Sequence, residues 1–558
     1  MKNRIAAAQG QIPCDLIIKN ITYLDVFHCV WRKGDLAIHE GFIVGVEPGL
    51  RGIREIDGRG KFAVPGFIDA HVHIESSLMT PLNFEKVVLE KGTTTAICDP
   101  HELANVMGVD GIKYFLECAL HMHMDLRVML SSCVPATDFE TNGGGTISAA
   151  DLKPLLEHPK ALGLAEMMNV PGVLNSDPAV MDKINAFMGR PIDGHAPLVK
   201  GHALSAYACA GISSCHESSE LSEASEKLTK GISVWIREGS VAKDLAALLP
   251  LLSLSTSTSL GFCTDDRNPL DIATEGHLDF LIRTAISAGI PEEIVYRSAS
   301  WSVARHYGLD RGKLRKGAVS PGYVADVVLL SDSKLCKIDA VLSAGRFVHE
   351  LPKHKSTVRK LAQNTVRSRL PSESELQGPS GKVNVIGVIP KKIITEHLIM
   401  DSATPGVLRF SVLERYGQGS LPSNGYVTGF GESFRGAIAS SIGHDSHNLT
   451  VIGSNLSDMR LGLQTLQEIQ GGLVVISAGK TLAQLPLPFG GLMSEADPKV
   501  IEQSLRDLRA ASRSIGCEIE EPFLQMAFLA LPVIPKLKLT DKGLFDVEKF
   551  RLIPVQAS

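Results

Sequence analysis

The chain has no unbroken run of about eighteen apolar residues, the least a membrane-crossing helix needs. Its first stretch, MKNRIAAAQGQIPCDLII, has no apolar segment of the length a secretion signal uses. There is no CxxC pair. The ten cysteines, from Cys14 to Cys517, are scattered, which excludes a disulfide framework and favours a reducing cytoplasm. Aromatic residues make up only 5%, too few for large stacking platforms. No charge dominates: 56 Lys and Arg face 61 Asp and Glu, a net −5, and nothing there draws the chain to nucleic acid or an anionic membrane. No repeat of short period is visible. The expectation is a cytoplasmic protein with no nucleic-acid partner and no membrane partner.

What is present is ordinary globular material, 44% hydrophobic and 21% charged over 558 residues, enough for about three or four domains. Residues 14–65 read as short β-branched runs broken by glycine, and similar runs return at 322–332 and 340–350. The two pieces, 1–65 plus 313–351, are expected to form one discontinuous β-rich domain. Between them, 66–312 alternates eight short apolar runs with amphipathic stretches such as NFEKVVLEKG and VAKDLAALLPLL. Eight such alternations over about 250 residues suit an α/β fold of the (β/α)₈ barrel type, with an open doubly wound sheet as the competitor. Residues 352–380 are polar and basic, a linker or exposed helix. From 381 to 558 the apolar pattern resumes as a C-terminal α/β domain.

Metal-ligand residue types gather at the ends of the expected barrel strands. The first run carries His71 and His73, two residues apart and so on one face of a strand. The fourth ends in Glu166, the fifth in His195, the sixth in His216 and the eighth in Asp265. Each alone has a bland reading: a structural histidine, or an aspartate capping a helix. Together they place six N and O donors around one mouth, the end of a barrel where active sites lie. Six donors exceed what one tetrahedral ion takes and suit two divalent ions bridged by Glu166. The absence of thiolate fits Mn²⁺, Fe²⁺ or Zn²⁺. Cys215 and Cys263 adjoin the donors but alternate away, as packing residues.

The phrases GFIDAHVHIESSLMTP, GTTTAICDPHELANVMG, GLAEMMN, DGHAP, CHES and CTDDR resemble the adenine deaminase family of the metal-dependent amidohydrolase superfamily. SIGHDSHNLTVIGSN and EPFLQMAFLALPVIPKLKLTDKGLFDV are similar to that family's C-terminal domain. The resemblance covers nearly the whole chain. It implies hydrolysis of adenine to hypoxanthine and ammonia by a metal-bridged hydroxide, as in purine salvage. It implies metal ligation by His71, His73, Glu166, His195, His216 and Asp265, with two divalent ions, Mn²⁺ or Fe²⁺ ahead of Zn²⁺, and a homodimer. Glu166 stands where many relatives in the superfamily carry a carbamylated lysine, which weakens a hydantoinase-like reading. An amidohydrolase acting on another cyclic amidine or amide is the alternative.

The chemistry of C6 deamination asks for a proton on the departing ammonia and another on a ring nitrogen. Asp265 is the candidate for moving the first. His101, Glu102 and Glu217 are candidates for the second or for binding the base. Against this, Glu102 could simply open a helix, and Glu217 could merely orient His216. Arg237 and Glu238 would line the mouth or pair on its rim. Ser76 and Ser77 would touch substrate or turn the chain. Gly143-Gly144-Gly145, with no GK[ST] after it, reads as a flexible loop. His444, Asp445 and His447 would act as a lid over the mouth or as a turn in the C-terminal domain. A third metal there is disfavoured, because no further donor is near in sequence.

Overall fold

A computed structural model describes residues 1–354 and 364–557. Eight parallel strands form one sheet in chain order: Phe67–Val72, Thr93–Cys98, Asp125–Leu130, Ala161–Met167, Ile192–Gly194, Ser214–Cys215, Ser233–Arg237 and Leu260–Cys263. They coincide with the eight runs read from the sequence. The barrel closes where the last strand returns to the first. The Asp265 N–H donates to the His71 carbonyl at 3.0 Å, and the His73 N–H donates to the Asp265 carbonyl at 3.2 Å. The fifth and sixth strands are very short. A side chain at Gly194 would bring a Cβ within 2.7 Å of the Ser214 carbonyl oxygen, so glycine lets these strands approach.

The N-terminal strands, from Cys14–Asp25 to Phe62–Pro65, share one sheet with Val327–Asp332, Lys337–Ser343 and Arg346–Phe347. The join is antiparallel, with Phe62 to Pro65 against Leu330 to Val327. The chain therefore leaves this sheet at Pro65, runs through the barrel and comes back to it. Ile18, Ile21, Leu36 and Val327 fill its core.

A third sheet of eight strands spans Lys382 to Pro486, nearly all antiparallel, with helices Leu456–Glu468 and Pro498–Ser514 packed on it. A small sheet of Leu537–Thr540, Gly543–Asp546 and Arg551–Ile553 completes this part. The expected linker or helix at 352–380 falls partly on 355–363, outside the described residues. Within the rest of it, Val366 and Leu376 are buried in the core of the third sheet.

One continuous apolar cluster joins the barrel to the C-terminal part, including Leu103 and Phe115 from one side and Phe489 and Met493 from the other. Backbone hydrogen bonds stitch the seam: Ser494 N–H to the Leu78 carbonyl at 2.9 Å and Thr80 N–H to the Ser494 carbonyl at 3.3 Å. The seam runs beside the first barrel strand's exit, so the C-terminal part lies at the mouth. No helix among the described residues is long and apolar enough to cross a membrane.

A candidate metal centre at the barrel mouth

The six expected donors converge. The His73 Nε2 lies 3.0 Å from His71 Nε2, 3.2 Å from Asp265 Oδ1 and 3.3 Å from Glu166 Oε1. Its other nitrogen faces the Asp99 carbonyl at 3.0 Å, which would take the ring proton of a neutral imidazole and leave Nε2 free to bind a metal. Glu166 divides its carboxylate. Oε1 faces His71 and His73, whereas Oε2 lies 2.6 Å from His195 Nδ1 and 3.3 Å from His216 Nε2. Two groups of donors share one carboxylate, one group on each oxygen. That donor set, all N and O, fits two cations bridged by Glu166.

The strands explain the placement. His71 is inside the first strand and His73 just past it, while His195 and His216 each follow the last residue of a strand. Asp265 sits two residues beyond the eighth strand with φ 52°, a left-handed conformation rare for a residue with a side chain. The two backbone bonds to the first strand hold it there.

Asp265 is shared between the donors and a cation. Its Oδ1 faces the two histidines, and its Oδ2 accepts from Arg237 Nη1 at 3.0 Å. Burial opposes its ionisation, but His71, His73, His216 and Arg237 hold its carboxyl well below the usual range. Arg237 also grips Glu217 through Nη1 and Nη2, and its Nη2 bonds Asp244 Oδ2 at 2.9 Å. Glu217 is thus oriented by Arg237, and the His216 ring is not among its bonding partners. Glu238 caps a helix by accepting the Leu245 N–H at 3.1 Å.

His101 and Glu102 open the helix His101–Met107 and also line the cavity. His101 Nδ1 pairs with Asp99 Oδ2 at 2.9 Å and lies 3.4 Å from Glu166 Oε1. Burial works against its charge, but Asp99 and Glu102 raise its pKa well above the ordinary imidazole value. Ser76 donates to Asp266, another cavity residue, whereas Ser77 closes a local turn on the Ile74 carbonyl at 2.6 Å. Cys215 and Cys263 are buried among apolar side chains. The glycine loop is tied down: the Gly143 and Gly144 N–H groups both donate to the Asn105 carbonyl, at 2.9 and 2.8 Å. A Cβ on Gly143 would lie 2.4 Å from the Tyr416 ring.

The C-terminal part completes the cavity. His444 and Asp445 line it, with Phe528, Leu531, Val533 and Ile534 as an apolar wall. His444 Nδ1 meets Glu102 Oε1 at 2.6 Å, and His447 Nε2 meets Glu102 Oε2. A donor that sequence proximity did not offer is therefore present, 342 residues away from His444. The trio is nevertheless satisfied by protons: the Gly443 N–H donates to His447 Nδ1 at 3.3 Å, so the ring carries its hydrogen on Nε2, toward Glu102. Burial opposes the charge on Glu102, and His444, His447 and His101 outweigh it, keeping the carboxyl well below its ordinary pKa.

Residues 62–348 match the model of the amidohydrolase family, and 390–551 match that of the adenine deaminase C-terminal domain. An adenine deaminase of Brucella suis is 48% identical across 98% of this chain and 95% of its own. One from Methylobacterium nodulans is 48% identical across 99% of each. The chain belongs to the adenine deaminase family of amidohydrolases. Among solved structures, an adenosine deaminase from Xanthomonas campestris with bound zinc is 15% identical, with a TM-score of 0.44 over 62% of this chain and 95% of that one. Membership in an amidohydrolase family implies metal dependence, and several groups of buried His, Asp and Glu at this mouth could hold the ions.

Proposed function

We infer that the protein hydrolyses adenine to hypoxanthine and ammonia. The observation that carries this is the reach of the likeness to adenine deaminases, which spans the barrel and the C-terminal part that together wall the cavity. The resident group we propose is a pair of divalent ions, Mn²⁺ or Fe²⁺ ahead of Zn²⁺, held by His71, His73, Glu166, His195, His216 and Asp265. When bound, such a pair supplies Lewis acidity and lowers the pKa of a water it shares from about 15.7 toward 7.

The chain's own residues do the rest. Asp265, fixed between the histidines and Arg237, accepts the proton of the attacking water and returns it to the departing amine. His101, held cationic by Asp99 and Glu102, sits where it can protonate a ring nitrogen as aromaticity is lost, and the other proton of the water restores it. Glu217 is clamped by Arg237 so that its carboxylate faces the cavity in one orientation, as an acceptor for the amino group or the ring. The apolar wall from Phe528 to Ile534 excludes water and packs the flat base. Ten free cysteines suit a reducing compartment such as the cytoplasm.

The test is ammonia release from adenine by protein reconstituted with Mn²⁺, with metal counted in the same sample. Turnover with about two metals per chain is expected. Two bound metals without adenine turnover, but with turnover of another cyclic amidine or amide, would overturn the substrate and keep the centre.

A further inference from the structure

Asp445 is a buried carboxylate with nothing to hold. It is 3% exposed, and its Oδ2 has no hydrogen-bond partner. Its nearest cationic nitrogen, His444 Nδ1, is 4.0 Å from Oδ1 and is already bonded to Glu102 at 2.6 Å. His447 is spent on Glu102 as well. An ionised carboxylate accepts and never donates, and leaving one buried without a donor is costly. Burial lifts its pKa to about 6, against the opposing pull of His101. The residue lines the same cavity as Glu166, His195 and Asp265. A donor is therefore missing, and the cavity is where it would come from.

Beside Asp445, the His444 ring stacks on Phe528, with centroids 4.6 Å apart and planes 17° from parallel. Phe528, Leu531, Val533 and Ile534 give the cavity an apolar wall next to this acceptor. In a purine with its exocyclic amine at the donor cluster, N7 lies beside that amine and N9 lies on the far side of the five-membered ring. The free base has an N–H on that ring, at N9 or N7. A nucleoside has a carbon–nitrogen bond at N9 and leaves N7 without a hydrogen, so it offers no such N–H.

We propose that Asp445 selects the free base by accepting the imidazole-ring N–H of the purine. This rests on the adenine reading of the site and adds to it the group that separates base from nucleoside. Selection is then carried by the segment between strands Ala437–Ser440 and Leu449–Gly453, outside the barrel that carries the reaction.

The experiment measures competitive inhibition by hypoxanthine and by 9-methylhypoxanthine in the metal-loaded protein, with adenine turnover and metal content followed in parallel. The wild type is expected to prefer hypoxanthine by about 10³-fold or more, because a site built for an N–H rejects the analogue without it. Asp445→Ala should weaken hypoxanthine by about 10²-fold while leaving 9-methylhypoxanthine within about threefold, so the ratio collapses at unchanged metal content. Asp445→Asn, which keeps an acceptor oxygen, should fall between. Equal weakening of both ligands in the variants would reveal a merely structural residue and overturn the proposal. Equal binding of both ligands by the wild type would overturn it whatever the variants do. A wild type that prefers hypoxanthine but releases no ammonia from adenine would sink the reaction assigned above and leave the selection intact.

Discussion

The two ends of the barrel hold the same ingredients in opposite arrangements. At the far end, Asp125 opens the third strand between Lys160 at 2.7 Å, Arg127 at 3.0 Å and Lys316 at 3.6 Å, and Lys316 pairs in turn with Asp326. Every charge there is matched by a neighbour of opposite sign. At the mouth, Glu102, Glu166, Glu217 and Asp265 are equally buried, but histidine nitrogens and carboxylate oxygens crowd toward shared points. In the first arrangement carboxylates and cations alternate, so each charge has a neighbour of opposite sign. The second gathers donors of one kind that could hold metal ions. Burial and pairing alone do not mark a site, since both ends have them. Convergence of donors does.

Removing the proposed bridge should produce the largest effect. Glu166→Ala takes away the one carboxylate that both donor groups share, so both ions should be lost together. Metal analysis should fall from about two per chain to well below one, and kcat/KM for adenine should drop by roughly 10⁴-fold or more. Retention of one tight ion with substantial activity would show that the two groups act independently and that Glu166 is no bridge.

Asp265→Asn should come next. The amide keeps the shape and can still accept from Arg237, but it cannot take a proton. A fall in kcat of about 10²- to 10⁴-fold is expected, with KM changed far less. A KM effect that exceeds the kcat effect would reassign Asp265 to binding.

Glu102→Gln links the mouth to the C-terminal part. The carboxylate anchors His444 and His447, so the substitution leaves a buried imidazolium short of its counter-charge. Breaking such a pair costs about 3–5 kcal/mol, read as a lower urea midpoint. His444 has its pKa raised to about 9, with burial opposing and Glu102 outweighing it. The pairing therefore contributes fully below the unfolded value near 6.5 and fades as pH rises through 9. The stability gap between wild type and Glu102→Gln should narrow between pH 7 and 9.5. A gap that widens over that range would rule out a cationic His444.

How much of this could be read from the sequence follows the same division. The eight strands were legible because each is a short apolar run with a polar end, and the donors because strand ends place them. The C-terminal contribution was not. His444 meets Glu102 across 342 residues, and no spacing rule reaches that far. Glu217 was similarly hidden: adjacency to His216 suggested one partner, and the fold supplied Arg237 from the next strand. The glycine loop looked free because glycine permits many conformations, yet Tyr416 and Asn105 confine it through contacts that only the tertiary fold brings.

The smallest effect on activity is expected at the completed end. Asp125→Asn removes the carboxylate that three cations share, leaving Lys316 with only Asp326. Burial opposes ionisation of Asp125, and Lys316, Lys160 and Arg127 overcome it, holding the carboxyl well below its ordinary pKa. A depressed carboxylate stabilises the fold above its unfolded pKa of about 3.9, and that contribution is lost as pH falls through the folded value. The difference in urea midpoint between wild type and Asp125→Asn should thus be constant from pH 8 to about 5 and shrink below about 4. Across the same neutral range kcat and KM should be unchanged, because Asp125 lies at the opposite end of its strand from the mouth. A loss of turnover at full metal content would mean that the two ends are coupled, and the contrast between a finished charge network and an open one would no longer separate stability from function.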